Sequence, residues 1–102
     1  MSRAESNGGP YKVDCSGVVA KALKQIQKQA NKEGRGKQVL SAVLQIWKRL
    51  TNDPMNFGEP LFRLPVLKMQ VRHGAVRPLF VEFTVCEDKP LVFIKGVKLL
   101  PK

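Results

Sequence analysis

Two kinds of hydrophobic spacing divide the chain. Val19, Ala22, Leu23, Ile26 and Ala30 recur at helical intervals, while Lys21, Lys24, Lys28 and Lys32 fall on the opposite side of the same helix. Ser16 precedes this run as an N-cap, and Asn31-Lys-Glu-Gly34 ends it with a glycine suited to a helix C-terminus. After the short connector Gly34-Arg-Gly36, residues 37–51 predict a second helix running back antiparallel. Val39, Leu40, Ala42, Val43, Leu44, Ile46, Trp47 and Leu50 give it an unusually wide apolar face, with Gln38, Ser41, Gln45, Lys48 and Arg49 on the wet side. A face that wide predicts contact with both the first helix and a sheet. Asn52-Asp-Pro54 stops the helix.

Residues 54–65 hold Pro54, Pro60, Pro65 and Gly58 and read as an extended loop. The spacing then changes to period two. Leu67, Met69 and Val71 alternate with Lys68, Gln70 and Arg72. Leu79, Val81, Phe83 and Val85 alternate with Phe80, Glu82, Thr84 and Cys86. Leu91, Phe93 and, past Lys95, Val97 and Leu99 alternate with Val92, Ile94 and Gly96. His73-Gly-Ala-Val-Arg77 and Glu87-Asp-Lys89 read as the turns, so neighbouring strands should be antiparallel. Tyr11-Lys-Val13 is either a short strand or an ordered arm. The expected class is α+β: two antiparallel helices packed on one face of a small antiparallel sheet of three to four strands. Residues 1–12 form a disordered N-terminal arm in this reading, and 13–102 form the single domain. The sheet face away from the helices is expected to display Lys68, Gln70 and Arg72, with Arg77 at the adjoining hairpin.

Charge sharpens this picture. The 102 residues contain 18 Lys+Arg against 8 Asp+Glu, a formal net charge of +10. Residues 17–50 carry eight bases against Glu33 alone, and residues 61–102 carry eight against Glu82, Glu87 and Asp88. Both halves of the folded region are therefore basic, which points to a polyanionic partner: nucleic acid first, an acidic protein second. No apolar run approaches the ~18 residues of a membrane span, and the polar start carries no signal-peptide segment, so a cytoplasmic protein without membrane contact is expected. Cys15 and Cys86 are then reduced thiols. Two distant cysteines and the lone His73 do not make a zinc set, so neither metal nor cofactor is expected.

The constellation that could carry chemistry is basic: Arg63, Lys68, Arg72, Arg77, Lys95 and Lys98 surround the expected sheet. Such groups hold phosphates through charge-assisted hydrogen bonds and stabilise charge that develops during phosphodiester cleavage. RNA supplies its own nucleophile in the 2′-OH, so cleavage without a metal needs only a proton acceptor, a proton donor and cations. Each feature also has a plainer meaning. The helical lysines can be a solvated face, the arginines ordinary strand charges, His73 a turn residue, and Trp47 and Phe57 core or loop anchors. Phe80, on the open side of the sheet, would be an aromatic platform among bases.

Three stretches carry a family resemblance. Asp53-Pro-Met-Asn-Phe-Gly-Glu-Pro-Leu-Phe-Arg-Leu64 resembles the loop after the second helix of the RelE/ParE toxin superfamily. Leu67-Lys-Met-Gln-Val-Arg-His-Gly-Ala-Val-Arg-Pro-Leu-Phe-Val-Glu-Phe-Thr-Val85 resembles its paired central strands, and Leu91-Val-Phe-Ile-Lys-Gly-Val-Lys98 its last strand. The resemblance spans roughly residues 50–98. It implies a small basic αα-βββ protein of a toxin–antitoxin system that acts on RNA at the ribosome as a metal-independent endoribonuclease, or that poisons DNA gyrase, and that is held by an acidic antitoxin. It implies catalytic roles for Lys68 and Arg77 with Arg72 beside them; Arg63, Lys95 and Lys98, from the basic constellation around the sheet, are the expected RNA contacts. The chain departs from the family pattern at Gln70, where a second lysine is common, at Leu99-Leu100 in place of an arginine, and in lacking a terminal Tyr or His. These departures favour the alternative of a non-catalytic module of the same fold, binding nucleic acid or an acidic protein.

Overall fold

The computed structural model describes residues 10–101; the expected arm up to residue 9 lies outside them. The elements are β1 (Lys12–Cys15), α1 (Gly17–Lys32), α2 (Gly36–Asn52), a short 3-10 turn (Pro54–Asn56), β2 (Glu59–Leu64), β3 (Met69–Val76), β4 (Leu79–Cys86) and β5 (Leu91–Leu99). Helix α1 begins and ends for the reasons its sequence gives. Ser16 Oγ accepts from the Val19 amide at 3.3 Å. Gly34, at φ +75°, turns the chain out of α1 in the left-handed region. The Arg35 side chain then pairs with Glu33 at 2.6 Å and donates to the Leu100 carbonyl at 2.9 Å, fastening the helical connector to the end of β5.

The α+β class is as expected, but the sheet is larger and mixed. Five strands run in the order β1-β5-β4-β3-β2. Lys12 and Val13 belong to a true strand, with Tyr11 just ahead of it, and β1 pairs parallel with β5, Val13 opposite Val92. The helical hairpin and strands β2 to β4 all lie between them in the chain, more than the long connection that parallel pairing needs. The segment expected to be a loop supplies the antiparallel edge strand β2. Pro60 is tolerated there because an edge strand has a side with no ladder and because Leu61 forms a bulge, the register stepping from Pro60–Arg72 to Phe62–Val71. His73-Gly-Ala-Val76 is strand as well. The β3–β4 turn is only Arg77-Pro78, with a cis peptide between them.

Both helices pack on the sheet, α1 against β5 and α2 against β1, β3 and β4. Val19, Val39, Ala42, Ile46 and Leu50 meet Leu79, Val81, Phe83, Val85, Val92 and Ile94 in one core. In β5 the extra residue Lys95 is a bulge, since Glu82 faces Gly96 while Phe83 faces Ile94. The bulge switches the strand's alternation, so Val92 and Ile94 before it and Val97 and Leu99 after it all reach the helix side.

The side taken by β3 differs from expectation. Arg72 is paired with core residue Phe83, and Gln70 with Val85, so both point to the helix side. Met69, Val71 and His73 point to the open side. Arg72 is only 6% exposed there. Its guanidinium donates to the carbonyls of Phe57 at 3.3 Å and Gly58 at 3.1 Å and to the Gln70 side chain. The loop that supplies those carbonyls packs tightly on β3. Gly58 has φ +69°, and a Cβ there would lie 2.0 Å from the His73 carbonyl oxygen. Phe57 stacks on Phe83 with ring centroids 5.7 Å apart, and the Arg49 guanidinium lies over the Phe57 ring, 5.1 Å from its centroid. Burial of a charged group is sustainable when its donors are satisfied, and here three acceptors do so.

Candidate nucleic-acid interface

Register defines what the open side of the sheet carries, because residues paired across strands share a face. Toward the β2–β3 turn it is apolar: Phe62, Val71, Thr84 and Phe93 form one row across four strands. Val71 is fully buried and Thr84 nearly so, although no helix among the described residues covers this side, while Phe62 and Phe93 at the flanks stay about half exposed. The next row is ionisable. Glu59 in β2, His73 in β3 and Glu82 in β4 stand side by side, with Gly96 beyond them in β5. His73 Nε2 is 3.8 Å from a Glu59 carboxylate oxygen. The Phe80 ring meets the imidazole edge-on, centroids 5.4 Å apart. Phe80 in turn lies directly opposite Lys98. Glu59, His73, Gly74, Ala75 and Phe80 line a shallow open depression. Aromatic ring, imidazole, carboxylates and ammonium thus adjoin on one area, half-buried at Phe80, His73 and Glu82 and exposed at Glu59 and Lys98.

The six basic residues singled out from the sequence do not form one group. Arg72 is buried on the opposite side of the sheet and caps loop carbonyls. Lys68 is exposed in the β2–β3 turn, at φ +52°. Arg77 is exposed in the β3–β4 turn, at the other end of an eight-residue strand. At about 3.3 Å per residue, on the order of 25 Å of strand separates these two. A phosphodiester cannot be held by Lys68, Arg72 and Arg77 together. Arg63 is engaged by Glu87 through two hydrogen bonds of 2.6 and 2.7 Å. These bonds, with the attraction between the charges, raise the Arg63 pKa above its ordinary value and lower that of Glu87. Lys95 is exposed at the bulge and Lys98 beside Phe80. Arg77 lies at the same end as Lys98, where the Leu100 amide donates to the Pro78 carbonyl at 2.7 Å.

The residues that the sequence pattern did not single out as a set are Glu59, His73 and Glu82. They come from three strands, and no local spacing announces them. Their one signal was that Phe80, Glu82 and Thr84 alternate together, so any β3 residue paired with Glu82 had to share that side.

The helical layer carries a second concentration of charge. Neither α1 nor α2 contains Asp or Glu, while Lys21, Lys24, Lys28 and Lys32 on α1 and Lys37 and Lys48 on α2 are all exposed. No helix among the described residues is long and apolar enough to cross a membrane. Compared with known proteins, the chain matches no family model, no curated protein and no solved structure.

Proposed function

We propose that this is a RelE/ParE-like protein that binds RNA on the open face of its sheet, with Phe80 as the stacking platform and Lys98 and Arg77 holding the backbone. The observation that carries the proposal is the adjacency of a half-buried aromatic, Phe80, to the exposed Lys98 directly across the β4–β5 ladder. Base–aromatic stacking contributes about 1–3 kcal/mol per base, and flanking cations supply the phosphate contacts that single-stranded RNA needs. The net charge of +10 supports the same class of partner. The His73–Glu59 pair, 3.8 Å apart, adds what metal-independent cleavage requires. The carboxylate takes the 2′-OH proton as the 2′-oxygen bonds to phosphorus. The imidazolium gives its proton to the departing 5′-oxygen, leaving a 2′,3′-cyclic phosphate and a 5′-hydroxyl. The separation of Lys68 from Arg77 and the burial of Arg72 favour the same module without catalysis.

One titration separates these possibilities. Labelled single-stranded RNA is added to the protein at stepped salt, and the RNA ends are mapped afterwards. Salt-dependent binding that weakens about tenfold in Phe80→Ala and in Lys98→Glu is expected. New 2′,3′-cyclic ends that vanish in His73→Gln assign cleavage; intact RNA leaves a binding module. Binding unaffected by either substitution rejects the sheet-face proposal.

A further inference from the structure

The outer surface of the helical layer carries cations and apolar side chains together. On α1, Lys21, Lys24, Lys28 and Lys32 are centred roughly 180° around the helix from the buried Val19 and Ala30. On α2, Lys37 and Lys48 stand in the same relation to the buried Val39, Ala42, Ile46 and Leu50. Both helices pack on the one sheet, so these exposed ammonium groups leave it in one direction and define a broad basic face. Neither helix contains Asp or Glu, and none of these lysines is ion-paired among the described residues. Lys24, Lys28 and Lys32, four residues apart, repel one another, and nothing on either helix offsets it.

The same face has an apolar seam. Leu40, Leu44 and Trp47, at i, i+4 and i+7 of α2, are 55%, 64% and 38% exposed. Their stripe is centred roughly 115° from the buried one, between the core and the outward lysines. Trp47 and Val43 meet Leu23 of α1 around a small apolar cavity, so the stripe lies along the groove between the helices. Three large apolar side chains in line form a patch, unlike scattered exposed leucines.

We propose that this face docks flat on an anionic lipid bilayer. Leu40, Leu44 and Trp47 enter the boundary between headgroups and acyl chains, and the lysines on both sides of the seam snorkel to the lipid anions. Breadth selects this occupant. The α1 row extends about 16 Å at 1.5 Å per residue, and the α2 lysines lie across the groove from it. A planar anionic surface meets both rows at once, whereas a single helix seated in the groove leaves the outer lysines of α1 unserved. A second copy of this chain brings lysine rows against lysine rows, and leucines offer bases no stacking platform. Stable anchoring takes two signals, and this face has both an apolar insertion and a polybasic field. The contact is in-plane, since no helix among the described residues is long and apolar enough to cross a membrane. The proposal does not depend on the RNA surface, which lies on the other side of the sheet.

Trp47 is the chain's single tryptophan, so its fluorescence reports the groove directly. The full chain is titrated with phosphatidylcholine vesicles, with and without phosphatidylserine, and with brominated acyl chains as quenchers. Binding only to the phosphatidylserine vesicles is expected, weakening with salt, with Trp47 shifted to the blue and quenched by the brominated chains. Leu44→Gln should lower the partition coefficient about fivefold or more, with circular dichroism and thermal melting unchanged because that side chain is well exposed. Lys24→Glu should weaken binding about tenfold or more. Lys68→Glu changes the net charge equally but lies in the β2–β3 turn, and it should weaken binding far less. Equal effects of the two charge reversals, no quenching of Trp47, equal binding by Leu44→Gln, or equal binding to neutral vesicles overturns the proposal. So does a Trp47 blue shift produced by an acidic helical peptide, or by dimerisation of the chain, and not by vesicles.

Discussion

Arg72 donates to the Gly58 carbonyl at 3.1 Å, across the helix side of the sheet, from a position fourteen residues further along the chain. Together with the Phe57 carbonyl and the Gln70 side chain, this bond makes a strand arginine the clasp of the α2–β2 connection. Its charge is spent on the protein's own backbone.

Replacing Arg72 should therefore act on stability. Arg72→Met keeps most of the aliphatic volume but leaves two loop carbonyls without their donors, at a cost of about 1–3 kcal/mol. Thermal unfolding should show the loss, while RNA affinity measured well below the midpoint should be unchanged. Arg72→Lys should recover little, because an ammonium cannot reach divergent acceptors as a planar fork does.

Gly58 provides a second check on the same loop. Gly58→Ala places a methyl 2.0 Å from the His73 carbonyl oxygen at a φ that alanine disfavours. A loss of about 2 kcal/mol or more is expected, read as a lower midpoint in urea. Hydrogen exchange at the Glu59–His73 end of the β2–β3 ladder should rise first.

The cations at the two ends of β3 should behave differently toward RNA. Arg77→Ala and Lys98→Ala should each reduce the slope of log K against log salt by about one contact. Lys68→Ala should leave both slope and affinity unchanged. A common effect of all three would show that the whole sheet, rather than the Phe80 end, meets the ligand.

The Arg63–Glu87 pair carries a pH dependence of known sign. Hydrogen bonding to Arg63 lowers the Glu87 pKa, so its stabilising contribution is present above the unfolded carboxylate's pKa and fades as pH falls through the folded value. Acid unfolding followed for the protein and for Glu87→Gln should show curves that converge at low pH. In Arg63→Ala the Glu87 carboxyl should titrate nearer its ordinary value by NMR.

Much of the fold was legible because each helix has one dominant periodicity. The run from Val19 to Ala30 has lysines opposite, and Ser16 marks where it starts. The second helix's wide apolar face likewise foretold contact beyond α1, though not that Leu40, Leu44 and Trp47 would stay uncovered. Strand β3 offered no such asymmetry. Its alternation looked amphipathic, with Met69 and Val71 the natural inward set, but inwardness was decided by pairing with β4, whose core residue Phe83 takes Arg72 as its neighbour. Polar satisfaction by a distant loop outweighed local pattern. Prolines hid β2, because only a bulged edge position accommodates Pro60, and four residues were too few to declare β1. The Glu59–His73–Glu82 row was unreadable for a related reason: it exists only once three strands are in register.

Because β1 takes its place beside β5, the earliest of the described strands to be synthesised waits for the latest of them. Until residues near Leu91 emerge, the amide and carbonyl groups of Lys12–Cys15 have no ladder and the helical hairpin lacks the strand against which α1 packs. Truncation within β5 thus removes the sheet neighbour of both β1 and β4 at once. Completion of the domain is a late, all-at-once event in synthesis.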